Sequence, residues 1–247
     1  MVPDAVLEVT VARVRDVPGA QDGGADRLHL AVGRPGAGTS AAWPALAFSP
    51  DVPTVAAVVR EAAVPVRVQL RLNDGLTSTG GEFTRLVGLA EEYLALGAEG
   101  VCFGFLDSDL EIDADTTAAL ATALPGVPWT FHEGFDSALD PRRSWRRVSA
   151  LPGLTAVASS GSPDGLGRGY ESVLAQAEAD PDIARLLMPS AGLTAEQVPW
   201  FRRAGVGQFR IGPQARPSGA ANADVDAALV RSWRLLLDSA GRHARPA

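Results

Sequence analysis

The chain has 247 residues, a usual length for one α/β barrel, and its 46 % hydrophobic content is enough to build a core without disulfides. A formal charge of −7 excludes a general nucleic-acid surface, and no apolar run approaches the ~18–20 residues of a membrane span. The one cysteine, Cys102, excludes an intrachain disulfide, and all 22 basic residues are arginine, which excludes a Schiff-base lysine and a P-loop lysine.

Read from the start, Met1-Val2-Pro3-Asp4 lacks the basic flank and apolar stretch of a signal peptide, so a cytoplasmic protein is expected. Short apolar runs then alternate with helical stretches about eight times. The expected strands are Val6–Val11, Asp26–Val32, Val66–Leu72, Gly100–Leu106, Pro128–His132, Leu154–Ser159, Arg185–Met188 and Gly207–Ile211. A helix is expected near residue 15. Between the third and fourth strands, Phe83, Leu86, Val87, Ala90, Tyr93 and Leu94 share one helical face. Asp140-Pro141 reads as an N-cap followed by proline in the first turn, and Thr194 with Gln197 resembles a capping box shortly before Pro199. The last helix carries Val225, Leu229, Trp233 and Leu236 on one face. Strands alternating with helices at this spacing imply a parallel sheet, and eight units in one domain favour closure into a single (β/α)8 TIM barrel spanning residues 1–247.

The loops are uneven. Residues 33–50 form a long connection carrying Trp43 and Phe48, suited to a lid or a subunit contact as well as to a packed surface loop. Residues 160–169, after the sixth strand, are rich in glycine.

Side chains alternate along a strand, so every second residue points into a barrel. Val66, Val68 and Leu70 must meet the helices, which turns Arg67, Gln69 and Arg71 inward. The same argument places Glu8, Arg27, His29, Thr130, His132, Gln208 and Arg210 inside. Arginines outnumber carboxylates in that set, and each buried charge without a partner costs several kcal/mol. Either loop acids such as Asp107, Glu133 and Asp136 fold over the mouth, or an anionic ligand answers the charge. Arg27 and Arg67, early in their strands, suit an internal ion-pair layer. Glu8, Arg71 and His132, nearer the strand ends, suit a functional site, with Glu8 and His132 as base and acid and Arg71 or Arg210 holding an oxyanion. His29 and Arg210 join the ligand-binding candidates, as do backbone amides near Ser160, Gly161 and Gly192. His243, in the tail, reads as a solvated surface residue.

At these positions the sequence resembles the CutC family, named for copper homeostasis. The resemblance is carried by Leu7-Glu8, Gly24-Ala25-Asp26-Arg27-Leu28, Arg71, Gly104-Phe105-Leu106-Asp107, Thr130-Phe131-His132-Glu133-Gly134-Phe135-Asp136, Ser159-Ser160-Gly161 and Met188-Pro189, over about residues 6 to 212. It implies a TIM barrel, dimeric or larger, linked to copper tolerance or copper binding and without a firmly assigned reaction. It also implies pocket roles for Glu8, Arg71, His132, Asp136 and Ser160. The chain departs from the family pattern at His29, Asn73, Ser190-Ala191-Gly192 and Arg210, and the cysteines proposed as copper ligands in some relatives have no counterpart. Copper is thus a cofactor by resemblance only, since copper(I) wants soft ligands and Cys102, Met1 and Met188 lie on different elements. His29 and His132 with Glu8 offer a borderline-metal set, which the adjacent arginines oppose. The expected partner is a small anionic molecule, with a homodimer, no nucleic acid and no membrane. Two functions stay open: a binding barrel with a polar, arginine-rich mouth, and a lyase or isomerase acting on a small anionic or sugar-like substrate.

Overall fold

The computed structural model describes residues 5–33 and 47–243. Eight parallel strands form one sheet: β1 (Val6–Val11), β2 (Arg27–Leu30), β3 (Val66–Gln69), β4 (Gly100–Phe103), β5 (Trp129–Phe131), β6 (Leu154–Ser159), β7 (Leu187–Pro189) and β8 (Gln208–Ile211). Their order is β7-β6-β5-β4-β3-β2-β1-β8, so consecutive strands are neighbours and β8 returns to β1. This is a nearly closed TIM barrel. The early helices are α1 (Asp16–Asp22), α2 (Val52–Glu61), α3 (Gly80–Ala95) and α4 (Ala114–Ala123). The later ones are α5 (Pro141–Val148), α6 (Leu166–Ala179), α7 (Pro181–Leu186), α8 (Val198–Arg203) and α9 (Ala227–His243).

The outward faces of the strands make the main core. Leu7, Val9, Leu28, Leu30, Val66, Val68, Trp129, Phe131, Phe209 and Ile211 are buried against the helices, as the alternation requires. At ~25 cal/mol per Å², each such side chain contributes about 1.5–3 kcal/mol on burial. Helix starts follow their caps. Asp140 accepts from Arg143 N at 3.0 Å with Pro141 in the first turn of α5. The Thr194–Gln197 box forms only by half, Thr194 N donating to Gln197 Oε1 at 2.9 Å, and α8 begins at Val198.

The expected seventh strand, Arg185–Met188, is displaced. Asp180 accepts from Asp182 N and Pro181 follows it, which nucleates α7 and keeps Arg185 helical until Leu187. The second strand is also shorter than expected, ending at Leu30, with Val32 bridging antiparallel to Phe48. Among the described residues no ladder joins β7 to β8. Two glutamines cross that seam instead. At the bottom, Gln208 Nε2 donates to Thr155 O (2.9 Å) and toward Arg185 O (3.4 Å); at the top, Gln214 Nε2 donates to Leu193 O (2.9 Å). Trp43 and Met1 lie outside the described residues, as does the side chain of His243.

Candidate functional site

The bore is filled by polar layers rather than by branched aliphatics. Strand register explains the lower one. Glu8 stands directly beside Arg27 on β2 and Arg210 on β8. Its Oε2 accepts from Arg27 Nε and its Oε1 from Arg210 Nε, the latter at 2.6 Å. Arg67 crosses the bore to Thr130 Oγ1 and Thr155 Oγ1, both at 2.8 Å, and pairs with Glu99 at 3.1 Å. Arg27 also meets Gln208 Oε1 at 3.3 Å and Met188 Sδ at 3.8 Å. Burial alone would push Glu8 up, but Arg210 and Arg27 together outweigh it and hold its carboxyl far below the usual range. Glu8, expected as a catalytic base, is fully buried, doubly paired and in the lining of neither cavity described below, and it acts as the counter-ion that lets two guanidinium groups sit in the barrel.

The upper layer is built by the turn after β5. His132 caps this 3-10 turn (Glu133–Ser137), its Nδ1 accepting from Gly134 N at 3.0 Å. A Cβ at position 134 would lie 2.5 Å from the His132 ring and 2.7 Å from Leu76, so only glycine lets the turn close. The turn carries Glu133 inward, where its Oε1 accepts from Arg210 Nη1 at 2.8 Å. Burial raises Glu133 but Arg210 outweighs it, leaving the carboxylate below its usual range; the same two carboxylates, Glu8 and Glu133, hold Arg210 firmly protonated despite burial. His29 Nε2 donates to Gln69 Oε1 at 3.1 Å and its Nδ1 faces Thr10 Oγ1 at 3.4 Å, which assigns the neutral Nε2–H tautomer. Burial, reinforced by Arg210, pushes His29 down to about 4; burial, with Arg71 and Arg210 adding to it, does the same to His132. Both imidazoles are therefore neutral hydrogen-bonding groups near neutral pH.

These groups open onto two spaces. A cavity of about 250 Å³ at the C-terminal ends of the strands is lined by Thr10, His29, Glu133, Ala191, Gly192 and Arg210, with Ala47 and Gly212–Gln214 completing it. Arg71 and His132 line a separate cavity of only about 20 Å³ with Asn73, Thr77 and Glu82. Arg71 is held at the rim: Nη2 donates to Asp74 O at 2.6 Å and the guanidinium lies 4.7 Å from the Phe48 ring centroid. Of the three residues expected around one cavity, Arg71 and His132 share the smaller one and Glu8 lines neither.

Asp136, Ser160 and Gly161 form their own cluster. Asp136 accepts from Ser159 Oγ (2.5 Å), Ser160 N and Oγ (both 2.7 Å) and Gly161 N (3.1 Å). Burial raises this carboxyl while its four donors pull it down. The loop amides expected to meet a ligand are filled by a side chain of the protein, so these three residues fasten the turn after β5 to the end of β6. Glu133 is the cavity residue that the sequence named only as a loop acid and not as a site residue. Its signal was its position, one residue past an inward His132 at a strand end.

The donor set does not suit copper. Burial pushes the Cys102 thiol up to about 12, and Arg210 Nη2 lies 3.7 Å from its Sγ. Met188 faces the Arg27 guanidinium, and no group of three or more His, Cys, Asp or Glu side chains among the described residues is arranged to hold a metal ion.

The CutC family model matches residues 5–211. A CutC family protein of Xanthomonas campestris pv. campestris (strain B100) is 31 % identical over 217 residues, covering 87 % of this chain and 85 % of the relative. One from Xylella fastidiosa (strain Temecula1) is 32 % identical over 209 residues, covering 83 % and 73 %. The crystal structure of a putative copper homeostasis protein CutC from Streptococcus agalactiae superposes with a TM-score of 0.68 at 21 % identity, covering 84 % of this chain and 98 % of that one, a likeness of fold. With a family match running from the start of the barrel to the end of β8 and relatives above 30 % identical over most of both chains, the chain belongs to the CutC family.

Proposed function

We propose that this CutC-family barrel binds a small anionic molecule at its mouth. The observation that carries the reading is the cavity of about 250 Å³, lined by a permanently charged guanidinium (Arg210) and a neutral imidazole (His29), with Arg71 stacked on Phe48, the chain neighbour of the lining residue Ala47. Charge excess alone no longer supports it: Glu8 and Glu133 answer Arg27 and Arg210, and Glu99 answers Arg67. What remains is a hollow with a few convergent polar groups, Arg210, His29, Glu133 and Gln214 among them, at the end of the barrel where ligands of this fold bind. Thermal-shift titration with inorganic phosphate, malate and glycerol 3-phosphate tests this. At least one should raise the melting midpoint saturably, and Arg71→Gln should weaken that ligand by about tenfold or more, the loss of one charged hydrogen bond. No shift with any of them, or equal affinity in the variant, contradicts the proposal.

A second reading, proton-transfer chemistry of the lyase or isomerase kind, is favoured by Glu133. One of its oxygens accepts from Arg210, a backbone N–H of its own turn also reaches the carboxylate, and the group lines the cavity. In this reading Glu133, which lines the cavity, takes the base role first expected of Glu8. Neutral His29 would then polarise a carbonyl or hydroxyl in the same cavity.

A further inference from the structure

The wall of the large cavity facing the β7–β8 seam differs from its floor. Ala191 has φ +52° and Gly192 φ +101°, two successive residues in the left-handed half of backbone space. Among the described residues the N–H groups of Ala191, Gly192 and Leu193 donate to no acceptor, although Leu193 is buried. The turn is not loose: Ala191 O accepts from Leu166 N at 2.9 Å, and Leu193 O accepts from Gln214 Nε2 at 2.9 Å. Gln214 in turn accepts from Gly212 N at 3.1 Å, so both loops of the wall are braced to each other. At the base of the turn stands Ser190. Met188 points into the bore at Arg27, so Ser190, two residues on, shares that inward face; it is 1 % exposed and its hydroxyl has no partner among the described residues. Buried donors are normally satisfied, and here the Ser190 hydroxyl and the Leu193 amide, both on buried residues, are left over beside the exposed Ala191 and Gly192 amides that line the hollow.

Elsewhere in the lining the chemistry changes. Glu133, carried inward by the turn after β5 and paired with Arg210, brings a carboxylate to the same cavity, which Thr10 and His29 also line. The turn thus presents donors alone, and these other residues a carboxylate with a hydroxyl and an imidazole. We propose that the cavity takes a small phosphomonoester, its phosphate against the Ala191–Leu193 turn and its hydroxylated remainder toward Glu133 and His29. The inference rests on the anion reading above and adds to it the class of anion and its orientation.

The test is calorimetric titration of the full chain with glycerol 3-phosphate and, separately, malate, for the wild type, Ala191→Asp and Ala191→Asn. Aspartate and asparagine both tolerate the backbone at 191, so both variants keep the turn, and only one brings a negative charge to the wall. Glycerol 3-phosphate should bind wild type more tightly than malate does, bind Ala191→Asn within about threefold of wild type, and bind Ala191→Asp at least about tenfold more weakly. Malate binding without glycerol 3-phosphate binding overturns the phosphomonoester and leaves the anion reading standing. Equal binding of glycerol 3-phosphate to wild type and a folded Ala191→Asp overturns the wall. Should Ala191→Asp fail to fold, the ranking of the two ligands on wild type still decides. Binding of neither overturns both readings.

Discussion

Glu8 illustrates how register neighbours decide what an inward carboxylate can do. With Arg27 and Arg210 in direct cross-strand positions, both of its oxygens are engaged and its proton affinity is far below that of a useful base. Glu8→Gln removes a charge that two buried guanidinium groups depend on, and breaking such a network costs about 3–5 kcal/mol. A denaturant titration should show that loss; a variant as stable as wild type contradicts the assignment of Glu8 as internal counter-ion. The histidines give a pH signature. His29 and His132 are pushed from 6.5 to about 4 in the fold, so between those values the unfolded chain binds protons that the native barrel does not. Stability should therefore fall as pH drops from 6.5 toward 4, and His29→Gln should flatten that slope. An unchanged slope in the variant argues against a neutral buried His29. At this scale strand alternation made most inward residues legible, Glu8, His29, Arg67, Arg71, His132 and Arg210 among them. Glu133 and Asp136 were legible only as loop acids able to fold over the mouth; which group each meets was not, because a 3-10 turn that periodicity does not encode sets their direction. Glu99, the partner of Arg67, is likewise supplied from just outside a strand, immediately before β4.

Among the elements, the seam between β7 and β8 and the connection after β8 depend on side chains. Besides the two glutamines, Arg216 makes a bidentate pair with Asp16, Nη1 to Oδ1 at 2.9 Å and Nη2 to Oδ2 at 2.8 Å, both side chains fully buried. Asp16 also accepts from Ala12 N at 2.8 Å, so the pair ties the segment entering α9 to the turn between β1 and α1. Asp16→Asn leaves Arg216 short of charge in a dry site and should lower stability by about 3–5 kcal/mol, measured by chemical unfolding. A loss below about 1 kcal/mol would show that backbone acceptors alone suffice for Arg216. Helix caps read from sequence placed α5 well because Asp140-Pro141 acts locally. The start of β7 was missed because Asp180-Pro181, an equally local signal, extends helical structure through Arg185.

For the molecule as a whole, the alternation of strands and helices specified the barrel, and the arginine-rich strand faces specified a polar bore. Charge counting alone could not say who answers those arginines. The structure supplies Glu99 and Glu133 from positions beside the strands, so the case for a ligand shifts from electrostatic need to the shape and donors of the mouth. That claim is tested most directly by soaking crystals of the protein in tungstate, a heavy oxyanion with the shape of phosphate, and collecting anomalous data. Strong density inside the hollow bounded by His29, Gly192, Arg210 and Gln214 is the predicted result. Tungstate bound only on the outer helices, or none in the barrel at saturating concentration, would contradict an anion-binding mouth.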